Sequence, residues 1–183
     1  KAIENYTLRR TKREVEIPET IPEKSMKRVI LPHASKKEEA FYKQVQASEL
    51  FNPLEKSLRL RQASIAPQMV NNGIGKKTMR RTQKWKHSNT KLDSVVSKSL
   101  KRLESQPDSK IIVFTTFKYE VEYLESKFAE TSYKYKSLHG GIGKDERNSI
   151  IGDDENQILM VQIVCGGTGL NLQAYNVIYF TSP

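Results

Sequence analysis

The sequence predicts an α/β fold, a doubly wound parallel sheet with an N-terminal helical protrusion. Three observations predict it. From Lys110 onward, short apolar runs alternate with segments of helical spacing, the pattern of parallel strands joined by helices. Ile111-Ile112-Val113-Phe114 is an unbroken apolar run, as strands buried on both faces show. A second such run, Ile158 to Val164, stops at Gly166, Gly167 and Gly169. Glycines at a strand's carboxyl end leave room for a ligand, and the amides of a following helix favour phosphate.

The elements follow in order. Lys27 to Leu31 reads as an isolated strand after the proline-bearing stretch Ile17 to Pro22. Ser35-Lys36-Lys37-Glu38 is a capping-box pattern that opens a helix to about Phe51, with Phe41, Val45 and Leu50 as apolar positions. Leu54 to about Ile65 is a second helix, stopped by Ala66-Pro67. Asn71 to Asn89 is rich in glycine and basic residues and reads as a loop or arm. Leu92, Val95, Val96, Leu100 and Leu103 give a helix over Lys91 to Leu103, after which Pro107-Asp108 punctuates the chain. In the α/β part, strands are expected at Ile111–Phe114, Tyr133–Leu138, Gln157–Val164 and Val177–Phe180. Helices are expected through Tyr119 to Phe128, over Gly143–Ile151 and over Leu170–Ala174. The division expected is a junction over 1–26, a sheet strand over 27–34, a protrusion over 35–105 with a basic loop at 71–89, and an α/β lobe over 106–183.

Composition narrows the function. Residues 1–104 hold 24 Lys and Arg against 11 Asp and Glu, a net of +13, while the remainder holds 7 against 10, a net of −3. A basic half joined to a nearly neutral α/β half points to a polyanion, nucleic acid first; a solvated helical surface is the other reading. The single cysteine, Cys165, excludes an internal disulfide framework and fits a reducing compartment. One cysteine and three scattered histidines make no zinc site. No run approaches a membrane span, and no membrane partner is expected. Without an initial Met, the chain reads as part of a longer protein.

Several segments then line up. Leu8-Arg9-Arg10-Thr11-Lys12-Arg13-Glu14-Val15 precedes Ile21-Pro22-Glu23-Lys24, and Leu58-Arg59-Leu60-Arg61-Gln62 precedes Pro67. After these come Lys91-Leu92, the strand Lys110 to Phe117 with Thr115 and Thr116, Leu138-His139-Gly140-Gly141 with Arg147 beyond, and the glycine run. In this order they resemble the second, RecA-like motor lobe of the switch/sucrose-nonfermenting family of superfamily-two DNA translocases.

The resemblance implies roles. Thr115, Thr116, Gly140, Gly141 and Gln162 would face phosphates of one DNA strand, where hydroxyls and amides grip without the desolvation cost of a charge. Gly166, Gly167, Gly169 and Asn171 would sense nucleotide at the interface with an N-terminal lobe. Val164 stands where the family commonly has a basic residue, Gln162 where it has Ser or Thr, and Thr181-Ser182-Pro183 where an acid often follows the last strand. Arg147 is expected to brace its loop or pair with Asp145 or Asp154. Lys76, Lys77, Arg80, Arg81, Lys84 and Lys86, with Trp85 among them, form a basic arm that is either an added DNA contact or a variable insertion between helices. Gly73 to Thr78 fails the spacing of a phosphate loop, and Gly143-Lys144-Asp145 has no Ser or Thr after the lysine to hold magnesium.

The implied parent is a DNA-stimulated ATPase that moves along duplex DNA, using ATP and Mg2+, in chromatin remodelling, replication, repair or transcription. It would act in the nucleus, or in a viral factory or the cytoplasm if viral. Walker A and Walker B residues and the arginine-rich motif VI are absent from the sequence, so these 183 residues are not expected to hydrolyse ATP alone. The alternatives are a strand-separating RNA enzyme and a non-catalytic lobe kept for binding DNA, chromatin or a protein partner.

Overall fold

The computed structural model of the chain describes residues 25–33, 35–73, 89–166, 170 and 172–182. It falls into two compact units, Lys1–Ile30 and Leu31–Pro183. In the first, residues 25–30 form neither helix nor strand, and Met26, Val29 and Ile30 are exposed. The strand expected at Lys27–Leu31 is therefore not formed. A strand is held by the ladder of its neighbours, and among the described residues no ladder reaches this run.

The second unit opens with three helices. α1 (Lys36–Ala47) starts where the capping pattern says, with the Ser35 side chain accepting from the Glu38 amide. It ends at Ala47 instead of about Phe51, leaving Leu50 exposed. α2 (Pro53–Ile65) is capped by Asn52, whose Oδ1 accepts from the Glu55 amide at 2.8 Å. Pro67, read from sequence as a stop, is also a start. Ala66 is extended, and Pro67 opens α3 (Pro67–Gly73), where its missing N–H would have had no helical partner anyway. Phe41, Val45, Phe51, Ala63 and Val70 close a small core among these helices.

α4 (Thr90–Ser105) leads into the sheet, whose strands are β1 (Ile111–Thr115), β2 (Tyr135–Leu138), β3 (Ile158–Gln162) and β4 (Val177–Phe180). All pairings are parallel and the order is β2-β3-β1-β4. α5 (Lys118–Phe128) and α6 (Lys144–Gly152) make the crossovers. Alternate residues serve opposite faces. Ile111, Val113, Ile158 and Met160 pack with Leu92, Val95 and Leu103 of α4 and with Leu124 and Phe128 of α5. Ile112, Leu159 and Val161 pack with Leu138 and with Ile150 of α6. The doubly wound parallel sheet is thus present, with both central strands buried as their apolar runs require. α4, expected in the protrusion, instead covers one face of the sheet.

β3 stops at Gln162, two residues early, and Ile163–Gly166 turn into the single-turn helix α7. Register fixes what lies at the carboxyl edge, since Thr115 pairs with Gln162 and Leu138 with Val161. Among the described residues no helix is long and apolar enough to cross a membrane.

Candidate nucleic-acid interface

At the carboxyl edge of the sheet, the chain leaves β1 into the turn Thr116-Phe117 before α5. Glu120, in the first turn of that helix and fully buried, holds this turn. One of its oxygens, Oε2, accepts from the Thr116 amide at 2.9 Å and from the Phe117 amide at 2.7 Å. A carboxylate at a helix N-terminus also suits the helix dipole. Lys91, half-buried, donates to Ser64 Oγ at 3.2 Å. Burial pushes its ammonium below the ordinary lysine range, and the charge of Glu120 opposes that shift.

The two threonines expected to act together are separated by the strand's alternation. Thr115 is fully buried, and its hydroxyl donates to the Val161 carbonyl at 3.4 Å. It shares parity with Ile111 and Val113, so its side chain belongs to the packed interior, away from the exposed edge where a phosphate contact was expected. Thr116 is half-buried at the edge, and its hydroxyl lies 3.2 Å from that of Ser182. Arg61 of α2 reaches both, donating from Nη2 to Thr116 Oγ1 at 3.3 Å and to Ser182 Oγ at 3.1 Å.

Gln162 joins the group from β3, its Nε2 donating to the Thr116 carbonyl at 3.3 Å. Its Oε1 lies 3.9 Å from Cys165 Sγ, and a side chain at Gly140 would stand 3.6 Å from that sulfur. Contacts therefore run along the edge from Cys165 through Gln162 and Thr116 to Ser182 and Arg61, with Gly140 next to Cys165. Gly141 has a steric reason of its own, because a Cβ there would meet the His139 ring at 3.2 Å. His139 Nδ1 accepts from the Gly141 amide at 3.2 Å, which makes the imidazole part of the turn.

Other expectations are corrected or fall elsewhere. Among the described residues Arg147 makes no ion pair, and Asp154 instead faces Lys110, Nζ to Oδ1 3.5 Å. Val164 is 84% exposed, so α7 presents a neutral surface at this position. Gly166 closes α7, whereas Gly167, Gly169 and Asn171 lie outside the described residues, as do Leu8–Val15, Ile21–Lys24 and the arm Lys76, Lys77, Arg80, Arg81, Lys84 and Lys86. Among the described residues no three His, Cys, Asp or Glu converge as metal ligands. Sequence reasoning gave no role to Arg61, Ser182 or Glu120. Only Glu120 had a local signal, an acid three residues after the helix-opening Phe117, half of a capping box.

Behind the edge, α3, α4 and α5 are tied by polar side chains. Gln68 donates to Asn89 Oδ1 at 3.0 Å and to the Tyr119 hydroxyl, which itself donates to Asn89 at 3.0 Å. Tyr123 donates to Asp93 Oδ1, and burial together with this bond pushes its phenol up to about 12.

Comparison with known proteins agrees with this architecture. Residues 90–183 match the family model described as the helicase conserved C-terminal domain. The Sulfolobus solfataricus SWI2/SNF2 ATPase C-terminal domain is similar in structure, with a TM-score of 0.58 and 20% identity, over 79% of this chain and 66% of that one. An uncharacterized ATP-dependent helicase of Schizosaccharomyces pombe (strain 972 / ATCC 24843) is 26% identical over 119 residues, 63% of this chain. The matched stretch spans 11% of that relative's length.

Proposed function

Because the chain belongs to the helicase conserved C-terminal domain family, we propose that it serves as the second motor lobe of an ATP-dependent translocase on double-stranded DNA, of the SWI2/SNF2 type. The observation that carries this reading is the continuous set of small polar groups, Gln162, Thr116 and Ser182, at the carboxyl edge of a parallel sheet. That edge is where open α/β folds bind ligands. Hydroxyl and amide donors there hold phosphate oxygens of one strand while leaving base sequence unread. Such a grip can be made and released repeatedly, as a translocase requires. ATP and Mg2+ belong, on this reading, to the whole protein, at the interface with an N-terminal lobe. The basic arm and the net +13 of residues 1–104 add sequence-independent attraction to the duplex. Nucleosomes, replication or repair complexes are the corresponding partners.

The test is binding of the 183-residue chain to a random-sequence duplex at several salt concentrations. Steeply salt-dependent binding that weakens in Thr116→Val, with duplex RNA bound less well, is the expected result. An affinity that does not respond to Thr116→Val would remove the edge from the interface. Absence of binding at 50 mM salt would favour a lobe that serves only protein partners.

A further inference from the structure

We infer that the cavity lined by α1, α2 and the start of α4 is a binding site for a small organic monocarboxylate, held at its charged end by the Lys91 ammonium and along its body by apolar wall. The cavity measures about 280 Å3, at the small end of the roughly 300–1,000 Å3 of ligand clefts. Leu31, Ala63, Ile65 and Pro67 supply its apolar surface, and Lys91, Ser64 and Thr90 bring polar groups to it. An apolar cleft with a few converging polar groups is the usual make-up of a small-molecule site.

Lys91 decides the class of ligand. An ammonium carries three donors, and among the described residues this half-buried one gives a hydrogen bond to Ser64 Oγ alone. Ser64 is fixed as an acceptor, because its own proton goes to the Arg61 carbonyl at 2.9 Å. Glu120, whose charge favours the ammonium, commits Oε2 to the Thr116 and Phe117 amides. Burial pushes Lys91 below the ordinary lysine range, as expected of a cation that is desolvated faster than it is compensated. A carboxylate beside it supplies charge-assisted bonds, roughly twice as strong as the neutral one to Ser64. The start of α4 suits an anion as well. Asn89, at its N-cap position, accepts from Gln68 and Tyr119 and leaves the first turn without a side-chain cap. Glu38, engaged with groups of its own, also lines the cavity, and its carboxyl disfavours a dianion. The apolar surface disfavours a free inorganic ion, which leaves a monocarboxylate with an apolar body.

The test uses the whole 183-residue chain, with benzoate as the probe, benzamide as its neutral counterpart and inorganic phosphate as an anion without an apolar body. Titration with benzoate, followed by NMR, should give saturable shifts of the Leu31, Ala63 and Ile65 methyl signals and of the Lys91 side chain. A dissociation constant on the order of 1 mM is expected for so small a ligand. Benzamide and phosphate should each bind at least about tenfold more weakly, a comparison made on wild-type protein and so independent of whether any variant folds. Lys91→Met should weaken benzoate binding by about ten- to a hundredfold, the loss of one charge-assisted bond, and Lys91→Arg should retain most of it. Lys101→Met, which removes an equal charge from an exposed position on α4, should leave binding unchanged. Absence of saturable shifts would overturn the inference, as would benzoate binding that survives Lys91→Met or is matched by benzamide. Phosphate bound as tightly as benzoate would overturn the organic class of the ligand, and an equal loss in Lys101→Met would reduce the effect to net charge. No DNA enters this titration, so its failure leaves the translocase reading intact, and failure of DNA binding leaves the carboxylate site intact.

Discussion

Replacing Glu120 tests whether the turn at the end of β1 is set by hydrogen bonding or by charge. Both amide donors, Thr116 N–H and Phe117 N–H, converge on Oε2, and Oε1 has no partner among the described residues. Hydrogen bonds to a charged acceptor contribute about 1.5–3 kcal/mol each. Losing two of them in Glu120→Ala is expected to cost about 3–5 kcal/mol, after partial rehydration of the freed amides. Glu120→Gln can place its carbonyl oxygen where Oε2 stands and keep both bonds at neutral strength. It also removes the cost of a buried charge and the attraction to Lys91, so its net effect should stay within about 1.5 kcal/mol. Urea unfolding followed by circular dichroism measures both variants, and the difference between their midpoints is the quantity of interest. The Ala variant should also bind duplex DNA more weakly, because Thr116 loses its fixed position. Equal destabilisation by Ala and Gln would show that charge and not geometry holds the turn. A cost below about 1 kcal/mol for Ala would refute the role of the two bonds altogether.

Three further outcomes are expected. Phe128 is fully buried between α5 and the sheet, so Phe128→Ala should cost about 3–5 kcal/mol and lower the thermal midpoint by about 6–20 °C in calorimetry. Thr115→Val should cost about 1 kcal/mol by removing a buried hydroxyl bond and leave DNA affinity unchanged, the reverse of Thr116→Val, as paired unfolding and binding measurements would show. Tyr123 has its phenol raised to about 12 by burial and by its bond to Asp93, so the fold favours the protonated form. That contribution is complete below about pH 10 and is lost as pH rises towards 12, and ultraviolet titration of tyrosinate set beside stability at each pH would detect it.

Much of the sheet was legible because continuous apolar runs of four or five residues admit few other readings between turn signals. The same property hid the end of β3. Ile163 and Val164 continue the apolar run, so periodicity gives no reason to stop at Gln162 or to turn into the one-turn helix α7. Pro67 was ambiguous for a physical reason, since proline both ends one helix and favours the first position of the next. The Lys27–Leu31 strand failed because β-propensity supplies no ladder partner. At the candidate site, Thr116 and Gln162 were readable as polar residues ending apolar runs. Burial of Thr115 follows from strand parity, which the motif resemblance overrode. The contact between Arg61 and Ser182 left no local trace in sequence, because nothing short of the assembled fold brings α2 to the end of β4.

β4 has one further consequence. Among the described residues it stands at the edge of the sheet, paired with β1 alone, and turns Ile178 and Phe180 outward, 52% and 62% exposed, with Phe180 stacked on Phe114 at 5.2 Å. An open row of backbone donors and acceptors beside apolar side chains is a template for another strand. In concentrated solution the 183-residue chain will therefore tend to self-associate edge to edge, and a charged residue at position 178 is the change that would keep it monodisperse.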